Sequence, residues 1–377
     1  MKVYLRRRNP IARSVTRWSS KVLCVVALNC VFLALRRRST PVLQGDLSKS
    51  YDTDPHALEF LRHLPRGVLI VEPFHGLGNR LRAYACAAAL ASKSGRHLVT
   101  VWVQDAHVNA PFSALFDTSN KTVIDFPISH LLSKVWSDVK VYDYNTKGHK
   151  DEVVEDKTHS PIYVRSAYVL QSQTRVYEAE ISEQLITLVP SRDVQRLMDK
   201  LKIRLLPRRD LVGVHIRMET DISKDVPGIW KYSAHDPAGA AHMGPVEIKR
   251  KKCHYQAFIP HLEDCIRRNK DVRFFVVSDS AQAVYALRER YPGRVISSAV
   301  HELEQCEGGL RRSFPCLQIF LAEFLVLSRE TSMMILSDWS SASELLVRLS
   351  QEKIPHISGC SAEPPLSFIS LLSLVGH

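Results

Sequence analysis

Four clusters of Gly, Asn, Arg, Ser and Asp interrupt an otherwise apolar alternation, and each one falls where an apolar run ends. They are "HGLGN" (75–79), "HIRMETD" (215–221), "SDS" (278–280) and "SDWSSASE" (337–344). Together these residue types suit a diphosphate. Backbone amides at Gly76 and Gly78 and at a helix N-terminus approach its oxygens, the hydroxyls of Ser340 and Ser341 donate to it, and the Arg217 guanidinium neutralises it. Other roles stand beside this one. Gly76 and Gly78 also permit a tight turn, and Ser340, Ser341 and Asp279 are good helix caps. The glycine stretch is neither a dinucleotide fingerprint nor a phosphate loop ending in GK[ST]. Alternation along "VGVHIR" places Val212, Val214 and Ile216 on one face of a strand and Gly213, His215 and Arg217 on the other. An arginine on a buried strand needs an anion, either a ligand or a carboxylate such as Glu219 or Asp221.

The elements that must position these clusters follow from periodicity. Residues 67–72 predict a strand, 79–94 a helix and 97–103 a strand, the opening of a βαβ unit. In 105–180 only short pieces such as "KTVIDF" and "IYVRSAYVL" suggest strands, and a helix is predicted over about 181–203. From 211 the alternation is regular: five apolar runs ("LVGVHIRM", "VRFFVVSD", "RVISS", "SMMILSD", "IPHIS") separated by four helical patterns. That pattern predicts an α/β chain with a doubly wound parallel sheet, and two Rossmann-like βαβ domains facing across a cleft is the simplest architecture. The expected boundaries are 66–205 for an N-terminal domain carrying the glycine loop and 206–377 for a C-terminal domain, with "LLPRRD" as the hinge. Residues 218–253 have Pro, Gly and no periodicity, as a functional or mobile loop does.

Charge narrows the class of partner. The formal net charge is +12, but residues 1–40 hold ten Lys/Arg and no Asp/Glu, while 41–377 hold 41 basic and 39 acidic residues. The body therefore lacks the basic excess that dominates nucleic-acid binding. Residues 1–21 read as a basic cytoplasmic tail and 22–35 ("VLCVVALNCVFLAL") as a short signal anchor. More positive charge before the anchor than after it places the rest in a lumen. A cleaved secretory signal and a mitochondrial transit peptide are the competing readings. Residues 36–65 read as a stem.

Eight cysteines contain no CxxC, which argues against a zinc site of the usual spacing. In an oxidising lumen Cys253 with Cys265 and Cys306 with Cys316 would close short loops. Cys86, in an alanine-rich helix, reads as a small core residue. Asn120 in "NKT" is a glycosylation acceptor for a lumenal body. "DTD" at 52–54 has the form of a metal-binding DxD but lies in the stem, and neither HExxH nor GxSxG occurs.

"GLGNRL", "VHIRMETD", "FVVSDS" and "FLVLSRETSMMILSDWSSASELL" resemble, in this order, the motifs of the fucosyltransferase superfamily that includes α1,2-, α1,6- and protein O-fucosyltransferases. The H-x-R-x-E-x-D form is most similar to the plant O-fucosyltransferase-like branch. The resemblance implies a GT-B-like fold and inverting, metal-independent transfer from GDP-fucose to a glycan or protein hydroxyl, with no cofactor. It implies that Arg217 binds the β-phosphate, that Gly76, Gly78 and Asn79 close on the donor, and that His215, Asp279, Ser340 and Ser341 line the nucleotide-sugar site. A short anchor implies a single-pass type II protein of the Golgi or endoplasmic reticulum. Some protein O-fucosyltransferases carry a glutamate just before the glycine loop, where this chain has His75. The proton acceptor is then His75, Glu219 or Asp221. A transferase for another nucleotide sugar and a non-catalytic nucleotide- or glycan-binding membrane protein are the alternatives.

Overall fold

A computed structural model describes residues 55–146, 149, 151–206, 210–218, 252–298, 306 and 312–360. Glu219, Asp221, the 52–54 stretch and the expected anchor lie outside these residues. Among the described residues no helix is long and apolar enough to cross a membrane.

The chain is α/β, as its alternation predicts. The N-terminal half contributes β1 (Val68–Pro73), β2 (His97–Val101), β3 (Thr122–Ile124), β4 (Lys140–Asp143) and β6 (Ile162–Ser166), all parallel, in the order β3-β2-β1-β6-β4. A two-stranded ribbon, β5 (Val153–Val154) with β7 (Gln171–Ser172), accompanies it. The C-terminal half forms a second parallel sheet from β8 (Leu211–Ile216), β9 (Arg273–Ser278), β10 (Val295–Ile296), β11 (Met333–Leu336) and β12 (His356–Ser358), in the order β10-β9-β8-β11-β12. β1, β8 and β11 are buried along their whole length, which is why their sequences are nearly continuous apolar runs.

The helices are α1 (Pro55–His63), α2 (Leu77–Ser94), α3 (Glu178–Ile186), α4 (Arg192–Arg204), α5 (Tyr255–Arg268), α6 (Ala281–Arg290), α7 (Phe314–Glu330) and α8 (Ser341–Leu349), besides several single turns. The predicted alternation on β8 holds. Val212, Val214 and Ile216 enter a core with Phe258, Leu262 and Val284 of α5 and α6. On the opposite face a Cβ on Gly213 would stand 2.8 Å from Leu327 Cδ2, so glycine is what lets α7 lie close on the strand. The two halves meet over a single core in which α2, α3, α4, α7 and α8 contribute together with both sheets.

Three expectations are corrected. Residues 55–63, read as stem, form α1, because Ala57 and Leu61 at i, i+4 spacing bury against the outer face of the first sheet. The helix predicted over 181–203 is two helices. Pro190 lies between them, and Ser191 starts α4 by accepting from Val194 N–H at 3.4 Å. Cys306 pairs with Cys316 as the spacing suggested, but Cys253 pairs with Cys360, 107 residues away. Cys265 faces the core of α5 as a buried thiol, and burial raises its pKa to about 11.

Candidate functional site

In each sheet the strand order reverses between its central pair, β1/β6 and β8/β11, and connections diverge there to leave a crevice at the carboxyl ends of the strands. "HGLGN", "SDWSSASE" and the described part of "HIRMETD" sit at these two switch points, and "SDS" ends the neighbouring β9. β1 ends in His75 and Gly76, β6 in Ala167 and Tyr168, β8 in Arg217, and β11 in the 337–340 turn. Between α2 and α8 the two points converge. A Cβ on Gly78 would stand 2.7 Å from the Ser341 carbonyl oxygen and 3.0 Å from its Oγ, so only glycine permits this approach.

The C-terminal switch point is held by serines. Ser340 caps α8, its hydroxyl accepting from Ser343 N–H at 3.4 Å. The Ser343 hydroxyl donates to the Ser337 carbonyl at 2.7 Å, so it must accept from His215 Nδ1–H, 2.8 Å away, and this network assigns the tautomer. His215 is 2% exposed and stands edge-on to Phe324. Burial and, to a smaller extent, the Arg217 charge lower its pKa to about 3 against the pull of Asp279. Its ring is thus a neutral packing element behind the strand.

Arg217 N–H donates to Ser337 Oγ at 2.8 Å, and its Nη1 is paired with Asp279 Oδ2, both side chains being largely buried. The other Asp279 oxygen accepts from Met218 N–H at 3.0 Å. The arginine is therefore fixed by Asp279, at the end of β9, and Asp279 is its orienting carboxylate. A guanidinium has five donors, so one engaged nitrogen is compatible with a further anion.

At the N-terminal switch point neither glycine supplies the turn. His75 carries the left-handed conformation, φ 65°, while Gly76 is extended and begins α2 with no side-chain cap. Arg80, 1% exposed, locks this loop. Its Nε donates to the His75 carbonyl at 2.9 Å, Nη1 to the Val103 carbonyl at 2.6 Å, and Nη2 pairs with Asp105 at 2.7 Å. Asp105 in turn accepts from the backbone N–H groups of His107 and Val108 at 2.8 and 2.9 Å. The His75 and His107 rings lie edge to face, 5.3 Å between centroids. The Arg312 guanidinium lies against Gly76, its Nη1 3.5 Å from where a Cβ would stand.

Arg82 joins the halves. It pairs with Glu344 of α8 and donates to the Ala167 carbonyl at 2.6 Å and to Asn79 Oδ1 at 3.0 Å. Arg348 extends the chain of charges from Glu344 to Glu178 of α3. Among the described candidate site residues, His75, Gly76, Gly78 and Asn79 occupy the β1–α2 junction, Ser340 and Ser341 the β11–α8 junction packed against it, and Arg217 and Asp279 the ends of β8 and β9, with His215 buried behind the strand. Asn120 is exposed, on a turn away from these strand ends. Ser337, Ser343, Arg80, Asp105, His107 and Arg312 escape sequence reasoning. The two serines lie in the quoted "SDWSSASE", and Arg80 follows "GLGN" directly, so adjacency was the available signal. His107 and Arg312 had none. Among the described residues no group of three or more His, Cys, Asp or Glu side chains could hold a metal ion.

No protein-family profile and no curated protein matches the chain. Among solved structures it is similar to the fucosyltransferase NodZ from Bradyrhizobium, with 18% identity over 74% of this chain and 92% of that one and a TM-score of 0.43. It is similar to a FUT1 variant of Arabidopsis thaliana in complex with GDP, with 12% identity over 92% of this chain and 80% of that one, at a TM-score of 0.47. POFUT1 in complex with GDP-fucose shares 13% identity over 78% of this chain and 97% of that one, at 0.45.

Proposed function

We propose that the protein is a glycosyltransferase that moves fucose from GDP-fucose to a hydroxyl of a glycan or protein. The observation that carries this reading is the convergence of two topological switch points, one of which holds Arg217 fixed by Asp279 and Ser337. The fucosyltransferase-like motifs supply the donor's identity. Breaking the bond between fucose C1 and the β-phosphate oxygen builds positive charge on the sugar and negative charge on GDP. A preorganised guanidinium stabilises that separation more than it stabilises the bound donor. Arg217, rather than a metal, carries this charge in the reading. The N-terminus of α2, uncapped by a side chain at Gly76, offers amides to the same anion.

Residues 66–205 then present the acceptor side and 206–377 the donor side. A lumenal Golgi or endoplasmic reticulum location, reached through a type II anchor at 22–35, fits the two cystines and the exposed Asn120 sequon. The test is calorimetry of the lumenal body with free nucleotides, followed by donor hydrolysis across GDP- and UDP-sugars. Tighter binding of GDP than UDP and release of GDP from GDP-fucose are expected. Turnover of a UDP-sugar instead replaces the donor, binding without release makes the protein a non-catalytic binder, and no nucleotide binding removes the proposal.

A further inference from the structure

Sequence alone nominated His75 as a proton acceptor, and the structure sets a second imidazole beside it. His107 lies in the loop after β2, the strand next to β1, so it stands at the same carboxyl edge as the glycine loop. Its backbone N–H is held by Asp105 Oδ1 at 2.8 Å, and Asp105 is itself immobilised by Arg80. The His107 Nδ1 is 3.9 Å from Asp105 Oδ1, and the side chain keeps 27% of its surface exposed. From the other half, Arg312 comes to the same place. Its carbonyl accepts from Asn109 N–H at 3.0 Å, two residues beyond His107, and its guanidinium lies against Gly76.

From this placement we infer that His107, its backbone anchored on Asp105 and its ring edge-on to His75, takes the proton of the attacking hydroxyl. The inference rests on the fucosyl-transfer reading above. The oxygen of the acceptor, or of water in donor hydrolysis, forms the new bond to fucose C1. The bond from C1 to the β-phosphate oxygen breaks, and its electron pair leaves with GDP. The hydroxyl proton goes to His107 Nε2, because Nδ1 faces Asp105, and the resulting imidazolium returns it to solvent after GDP departs.

The groups facing His107 decide whether that nitrogen is free to accept. Burial lowers its pKa, Asp105 raises it, and the guanidinium charges of Arg312 and Arg80 lower it again. The net direction is downward, so the ring is neutral near neutral pH, as a base must be. The same carboxylate that would draw a proton onto the ring is already paired with Arg80.

The experiment measures GDP release from GDP-fucose with water as nucleophile, alongside calorimetry with GDP, for wild type, His107→Gln and His75→Gln. Expected is a loss of about 10²-fold or more in hydrolysis for His107→Gln with GDP affinity unchanged, and a smaller loss for His75→Gln. In wild type, hydrolysis should fall on the acid side with a midpoint below the ordinary 6.5 of histidine, and His107→Gln should abolish that limb. Near-normal hydrolysis by His107→Gln, loss of GDP binding in it, or the larger loss in His75→Gln overturns the assignment. Should His107→Gln not fold, the wild-type profile decides, and a flat acid side overturns it. A wild type that neither binds GDP nor releases it from GDP-fucose sinks the donor reading instead, a pattern none of the other outcomes produces.

Discussion

The β1–α2 and β11–α8 junctions use one backbone device twice and finish it differently. In each, the residue before the helix cap is a bulky non-glycine in the left-handed region, His75 at φ 65° and Trp339 at φ 54°. Such conformations are uncommon outside glycine and cost of order 1–3 kcal/mol where they persist. At β11–α8 the chain closes its own helix end, with Ser340 capping and Ser343 tied to Ser337 and His215. At β1–α2 the cap is Gly76, with no side-chain cap, and the neighbours are a guanidinium and two imidazoles. One junction closes its own helix end with a serine, and the other begins its helix with no side-chain cap. The serine junction carries the fixed Arg217, while the uncapped one closes on it through Gly78.

The largest effect is expected at Arg217. Arg217→Ala removes the cation and leaves Asp279 without that partner. The expected loss in donor turnover is about 10²- to 10³-fold, or about 2.7–4 kcal/mol, read from steady-state GDP release. If turnover survives, the serine junction supports nothing catalytic.

Acid should strike the serine junction through His215. Its folded pKa is depressed to about 3 from 6.5, so below pH 6.5 the unfolded chain binds a proton that the folded one refuses. Stability from this group is therefore complete above 6.5 and is lost as pH falls toward 3, at about 1.4 kcal/mol per unit. Denaturant midpoints measured from pH 7 downward should follow that slope, and His215→Asn should flatten it.

Gly78→Ala drives a methyl group into the Ser341 carbonyl, 2.7 Å from the new Cβ. Although alanine favours a helix, the separation it forces between α2 and α8 should cost about 1–3 kcal/mol, visible as a lower melting temperature. The mildest test exchanges the caps. Ser340→Ala should lose about 1 kcal/mol, whereas Gly76→Ser should gain a few tenths, because its φ of −64° and ψ of 162° suit a capping serine. If Gly76→Ser also weakens GDP binding in calorimetry, the open helix end is what receives the diphosphate. Unchanged affinity assigns the phosphate elsewhere.

Most of the fold was legible because parallel strands buried on both faces must be apolar throughout. "VLIV", "RFFVV" and "MMIL" announce themselves, and the glycine and serine turns mark where they stop. α1 was hidden because only Ala57 and Leu61 of a polar stretch are buried. The Cys253–Cys360 pairing was hidden because spacing says nothing about which loops meet. Within the candidate site, the polar residues at strand ends were legible as interruptions of apolar runs, whereas the choice of Ser340 as the cap and the burial of His215 against Phe324 were not. Nor was the partner of Arg217, because Asp279 lies on the adjacent strand, 62 residues away.

By itself the sequence determined the α/β alternation, the four polar strand ends and an arginine that required an anion, all properties of short-range pattern. Tertiary structure alone decided that two switch points converge, that His215 is buried and neutral, and that His107 and Arg312 from opposite halves meet the glycine loop. Distances between residues far apart in the chain, and the desolvation that follows from them, exist only once both sheets have packed over their common core.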